Sequence, residues 1–145
     1  MREVIAARRC RLKPFWDVFV DDIQPNARVR VFENQIGGRA GDPHGIVVAN
    51  SSDTPDGSYA VLVGRNNVEN GGTGILLTNA DGIVLFENHV GDTNTAVGVD
   101  VDASSDNNLI VGNVISTGGT DVRDAGSGNC WRSNTYTTGS VPSCP

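Results

Sequence analysis

Apolar and polar side chains alternate along this chain in short runs, and the runs recur. Each recurrence is a strand-length segment with every second residue apolar, a turn of small residues, a second such segment, and then an asparagine two residues before an apolar one. Five segments carry the pattern: Asp17 to Ile36, Gly45 to Val68, Gly74 to Val90, Gly98 to Ile115 and Gly119 to Tyr136. Their starts lie 28, 29, 24 and 21 residues apart, inside the period of roughly 20 to 50 residues that marks a stack of coils. The last two align over 18 positions without a gap.

Period-two alternation predicts strands with one buried face. The first strands offer Val18 and Val20, Ile46 and Val48, Ile75 and Leu77, Val99 and Val101, then Thr120 and Val122 as the interior. The second strands add Val29 and Val31, Val61 and Val63, Ile83 and Leu85, then Ile110, with Trp131 in the last coil as a plug. A coil buries its interior only against its neighbours, so both ends need caps.

The phrase Asn-x-apolar closes all five second strands, at Asn34, Asn66, Asn88, Asn113 and Asn134. Asparagine tolerates left-handed backbone angles and bonds nearby backbone groups through its short amide. In stacked coils each amide also meets the next at about 4.8 Å. The five are expected to turn the chain and to form a ladder.

These repeats resemble the right-handed parallel β-helix proteins, the pectate-lyase-like superfamily of pectate lyases, polygalacturonases, alginate epimerases and secreted bacterial repeat proteins. The resemblance runs from Asp17 to the C-terminus. It implies an all-β, right-handed parallel β-helix of about five coils over residues 17–136, with residues 137–145 as a tail. Cys130 and Cys144 bracket the last coil and tail, as at the end of secreted bacterial β-helix proteins. The resemblance thus implies a disulfide pinning the tail over the open top, contributing roughly 3 kcal/mol, and an oxidising compartment, secreted or cell-surface. Cys10 is left over.

Charge divides the chain unevenly. Net charge is −6; the first 13 residues carry five basic groups against Glu3 and the remainder is correspondingly more acidic. An acidic body excludes nucleic acid as a partner, which requires a basic face. No run of about 18 apolar residues predicts a membrane span. Three readings fit the basic start over residues 1–16: a short capping helix, a tail, or the edge of a longer product, since Asp17 opens in mid-coil.

Function must lie in the outward residues. The outward column of the first strands reads Phe19, Val47, Leu76, Asp100, Asp121. Its apolar half forms a patch of the kind a monomer normally covers, and the turn from Ser51 to Tyr59 is one candidate cover. With Arg123, this half is a candidate surface for polysaccharide or another protein chain. Asp100 and Asp121, in register on adjacent coils, are candidate ligands for Ca²⁺, with Asp102 facing Arg123; the default is no cofactor. Asp42-Pro43-His44 matches three residues of the Asp-Pro-His-Asp motif of alginate C5-epimerases, so the resemblance implies Asp42 and His44 as proton-transfer groups. His89 stands alone, in a column with Gln35, Asn67, Val114 and Thr135. A weaker resemblance, to the repeat protein of nitrous-oxide-reductase copper maturation, would require soft or imidazole ligands to converge, and the chain has two separated histidines and one methionine.

The sequence thus predicts a secreted β-helix module presenting an outer strand face to polysaccharide or a partner chain, without complete catalytic machinery. The alternative is a polysaccharide lyase or uronate epimerase working by proton abstraction.

Overall fold

The computed structural model describes residues 3–5, 16–20, 28–37, 43–51, 61–69, 72–92 and 94–144. Asp42, Cys10 and the turn at 52–60 lie outside them. The chain opens on β1 (Glu3–Ile5), where a capping helix was one expectation, and no described residue is helical. Four coils of three strands follow: β2 (Trp16–Val20), β3 (Arg28–Phe32) and β4 (Gln35–Gly37); β5 (His44–Ser51), β6 (Val61–Gly64) and β7 (Asn67–Glu69); β8 (Thr73–Ala80), β9 (Ile83–Phe86) and β10 (His89–Asp92); β11 (Val97–Val101), β12 (Leu109–Val111) and β13 (Val114–Thr117). A fifth coil holds β14 (Thr120–Asp124), β15 (Cys130–Arg132) and a single bridge from Thr135 to Val114. The tail adds β16 (Gly139–Ser140).

Every pairing joins a strand to its counterpart one coil away, in parallel. Three sheets result: a first of β2, β5, β8, β11, β14 and β16, a second of β1, β3, β6, β9, β12 and β15, and a third of β4, β7, β10 and β13. Parallel strands joined by crossovers wind right-handed. The interior is a continuous column of Val, Ile and Leu, with Val31, Ile46, Val61, Ile75, Leu85 and Ile110 fully buried, as the alternation requires.

One interior assignment fails. Thr120 is exposed because the first strands bend near their starts. A Cβ at Gly74 would strike Val90 and the Gly98 carbonyl, and one at Gly98 would strike Ile115 and the Asp121 carbonyl. Val90 and Ile115 are core residues of the third sheet, so the glycine column faces the inner corner, directly before the inward Ile75 and Val99. Two inward columns in succession reset the phase, and Thr120, paired with Val97, lies outside.

The asparagines form the ladder. The Asn66 N–H and Nδ2 both donate to Asn88 Oδ1, at 3.1 and 3.0 Å. Asn88 grips Asn113, and Asn113 grips Asn134, in the same two-pronged way at 2.9 Å. Each amide also donates to a backbone carbonyl of the coil before, as Asn88 does to Val63 at 2.9 Å. The left-handed residue is not the asparagine but the one preceding it: Glu33, Arg65, Glu87, Gly112 and Ser133 have φ between 51° and 67°. Those side chains point to solvent, where Arg65 bonds Glu87 at 2.9 Å and approaches Glu33 at 3.9 Å. Such exposed pairs contribute little. The left-handed strain is therefore held mainly by the buried amides beside it.

The upper end closes with a second set of polar groups. Asn108 and Asn129 occupy the interior column of Val61 and Ile83, and Asn108 Oδ1 accepts the Ile83 N–H at 2.8 Å. Asp124 accepts from Gly126 N, Asn129 Nδ2 and the Trp131 indole at 2.9, 2.9 and 2.6 Å. Trp131, 4% exposed, is the expected plug. Cys130 and Cys144 form the expected disulfide, with Cα atoms 4.4 Å apart. Asp121 fills the glycine column in the last coil and ties the tail down, accepting from Thr137 N, Thr138 N and Thr117 N at 2.7, 2.9 and 2.8 Å and from the Thr117 hydroxyl at 3.1 Å. Burial pushes its pKa up, but these donors outweigh burial and hold it below the ordinary carboxylate value.

Three outcomes follow. Asn88→Ala, which strands donors on both sides of a buried rung, lowers unfolding free energy by about 3 kcal/mol, against about 1 for Asn134→Ala at the ladder's end; equal losses in urea melts refute the ladder as a chain of shared acceptors. Replacing both Cys130 and Cys144 by Ser costs about 3 kcal/mol, measured in the same melts. A depressed Asp121 pKa stabilises fully above the ordinary value of 3.8, and that stability is lost as pH falls through the folded value. Asp121→Asn should therefore lower Tm at neutral pH and leave Tm less sensitive to acid below about pH 4; an unchanged acid limb counts against it.

Candidate functional site

The outer face of the first sheet carries most of the candidate residues. With Gly74 and Gly98 turned inward, alternation sends His44, Thr73 and Val97 outward as one column. Phe19, Val47, Leu76, Asp100 and Arg123 follow as a second, in register coil by coil. Ala49 and Thr78 begin a third, and Asp102, just past β11, meets Thr78 there.

The second column differs from the expectation in two ways. Only Phe19 is well exposed, at 46%; Val47 is 3% exposed and Leu76 half-buried, so the three do not make one open apolar patch. Asp100 pairs with Arg123 rather than Asp121. Arg123 Nε donates to Asp100 Oδ1 at 2.7 Å and its NH2 donates to Oδ2, a two-pronged contact that raises the Arg123 pKa. Arg123 remains largely exposed while the Asp100 carboxylate is nearly covered.

Asp102 does not face Arg123. It accepts from the hydroxyls of Thr78, Ser104 and Ser105 at 2.6, 2.8 and 2.8 Å and from Ser104 N at 3.0 Å. These bonds outweigh the burial that pushes its pKa up, and hold it low. Asp102 thus organises the turn after β11. Asp121, in the inner corner, is fully engaged with the tail. The two proposed Ca²⁺ ligands are not brought together, and both carboxylates are committed to protein donors; Ca²⁺ takes six to eight oxygens. Among the described residues no three His, Cys, Asp or Glu side chains gather as metal ligands.

His44 begins β5, beside Trp16 and Thr73. Its Nδ1 is buried without a hydrogen-bond partner. Burial lowers its pKa, opposed by the Asp100 charge. Two coils across and three residues along separate their Cα atoms by about 14 Å. No hydrogen bond joins them, so no described acid completes a proton-transfer pair with His44. His89 is exposed on the third sheet, in the expected column with Gln35, Asn67, Val114 and Thr135.

The polar upper end escaped the sequence reading although its signal was present. Asn108-Leu109-Ile110 and Asn129-Cys130-Trp131 repeat the phrase Asn-x-apolar one strand earlier than the main ladder. Asp124 carries no such signal, because its role depends on Trp131 being capped by the tail.

A family model described as "Periplasmic copper-binding protein (NosD)" matches residues 23–142. Comparison with curated proteins gives no match, nor does comparison with solved structures. Copper prefers thiolate, thioether and imidazole ligands. Here His44 and His89 stand on different sheets, and the sulfurs of Cys130 and Cys144 are bonded to each other. The described residues therefore do not fit a copper ion, although the disulfide suits an oxidising periplasm. The match supports the resemblance to right-handed parallel β-helix repeat proteins, and because it spans most of the chain's length the chain belongs to the NosD family.

Proposed function

We propose that this chain is a periplasmic β-helix module that docks a partner protein on the outer face of its first sheet, without catalytic machinery of its own. The observation that carries the reading is the second outward column. An exposed Phe19, a buried Val47, a half-buried Leu76 and the Asp100–Arg123 pair follow one another along the stack axis. An apolar anchor beside a satisfied ion pair is the anatomy of a protein interface, with its rim charge setting orientation more than affinity. Alginate or pectate is disfavoured by charge, since a chain of net −6 repels polyuronates at long range. A lyase or epimerase needs an acid and a base converging on one sugar carbon, and His44 has no such companion among the described residues. Docking requires no copper on this chain, so the family's description does not oppose it.

A photo-crosslinking residue at position 19, 76 or 123, expressed in the periplasm of the source organism, tests the proposal, with position 89 on the third sheet as the control. The expected result is one adduct of discrete mass from the first three positions, reduced at least tenfold by Phe19→Asp in the probes at 76 and 123, a loss of about 1.4 kcal/mol. Equal labelling from position 89, or labelling indifferent to Phe19→Asp, refutes it. Saturable binding of alginate or pectate to the same face would assign polysaccharide instead.

A further inference from the structure

The asparagine ladder has an open upper end, and that end lines a cleft. In each inner rung the backbone N–H and the Nδ2 of one asparagine converge on a single oxygen, the Oδ1 of the next. Asn113 does so to Asn134, at 2.9 Å for both bonds. Asn134 is the last rung. Its Oδ1 is filled from below and its Nδ2 donates to the Ile110 carbonyl at 2.8 Å. Its backbone N–H and second Nδ2 hydrogen have no acceptor among the described residues. The residue thus offers the same two-donor grip that each lower rung offers, with no oxygen among the described residues to fill it.

The cleft holding this grip has a volume of about 140 Å³ and is bounded by Trp131, Arg132, Tyr136, Val141 and Pro142 besides Asn134. That is well below the roughly 300 to 1,000 Å³ of sites for drug-sized molecules, so it admits an end group. Asn134 offers two N–H donors, Arg132 supplies a guanidinium with no ion pair among the described residues, and Trp131, Tyr136, Val141 and Pro142 give apolar wall beside the polar Ser133 and Ser143. Arginine matches a carboxylate through paired donors, and a lining of Trp131, Tyr136, Val141 and Pro142 suits an apolar group attached to it.

We infer that this cleft captures the C-terminal carboxylate of a peptide ending in an apolar residue, with one carboxylate oxygen seated on the Asn134 donor pair and the other facing Arg132. Backbone and amide donors gripping a terminal carboxylate are a recurring mode of peptide capture. The disulfide from Cys130 to Cys144 and the bridge from Trp131 to Ser143 hold the tail side of the cleft in place, so the site is preorganised. This inference does not rest on the first-sheet docking face.

The test is an amide NMR titration of the full chain with N-acetyl-leucine, N-acetyl-leucinamide and glucuronate. N-acetyl-leucine should bind in the millimolar range and shift the backbone and side-chain amide signals of Asn134. The leucinamide, which lacks the charge, should bind about tenfold more weakly, as should N-acetyl-leucine to Arg132→Gln. Arg132 is exposed and outside the ladder, so that variant keeps the fold, and unchanged signals from Asn66, Asn88 and Asn113 would verify it. No shift at Asn134, equal binding of acid and amide, or full binding by Arg132→Gln overturns the inference. Glucuronate binding as tightly as N-acetyl-leucine overturns the assignment to a peptide end.

Discussion

The register of one coil upon the next is the constraint on which this molecule depends. Strand pairing fixes the coil spacing near 4.8 Å, and every side chain must then suit the residue directly above it and the one below. Apolar interior columns meet that demand through contact. The asparagine columns meet it by hydrogen bonding, because an amide has both a donor and an acceptor and so repeats without conflict. A carboxylate in that column would set acceptor against acceptor, and an ammonium donor against donor. The repeat of Asn34, Asn66, Asn88, Asn113 and Asn134 is thus a consequence of stacking, and it permits left-handed angles at Glu33, Arg65 and Glu87 that would otherwise be costly.

The same constraint explains what the sequence made legible. Interior columns and the ladder could be read because each residue faces a copy of itself. The disulfide was foreseen through family likeness rather than geometry. The outward pairing of Asp100 could not be read from a gap-free alignment, because coils differ in length at different corners. Between the last two coils the step is 21 residues in the second sheet, from Leu109 to Cys130, but 23 in the first, from Asp100 to Arg123. The turn after β14 is shorter than the one after β11, and a shift of two residues exchanges Asp121 for Arg123 opposite Asp100. The bend at Gly98 hid the face of Thr120 for a related reason, since period-two alternation holds only while a strand stays straight.

The expected carboxylate ladder therefore became an ion pair and two turn-organising aspartates. Identical acids stacked at strand spacing repel, and a metal ion is one means of holding them. This chain uses others: a guanidinium for Asp100, three hydroxyls for Asp102, and the N–H groups of the tail for Asp121. Each arrangement satisfies the acid locally and removes it from the supply of metal ligands. The family's description and this chain's described residues part at that point, for physical reasons visible in individual side chains.

A stack satisfies its members only in its interior, so its ends are where chemistry is left over. At the upper end the interior aliphatics give way to Asn108 and Asn129 and Trp131 replaces an aliphatic plug; Asn129 accepts the Asn108 N–H, and Asp124 accepts from Asn129 and the Trp131 indole. These polar residues stand where no full coil lies above to supply apolar contact, and they fasten a tail in its place. Asn134 is where that substitution stops short: the tail supplies walls to the cleft but no oxygen to the last rung among the described residues. Recognition at that end would follow from the ladder's own repeat, since the last rung is built like those that donate to a neighbour above.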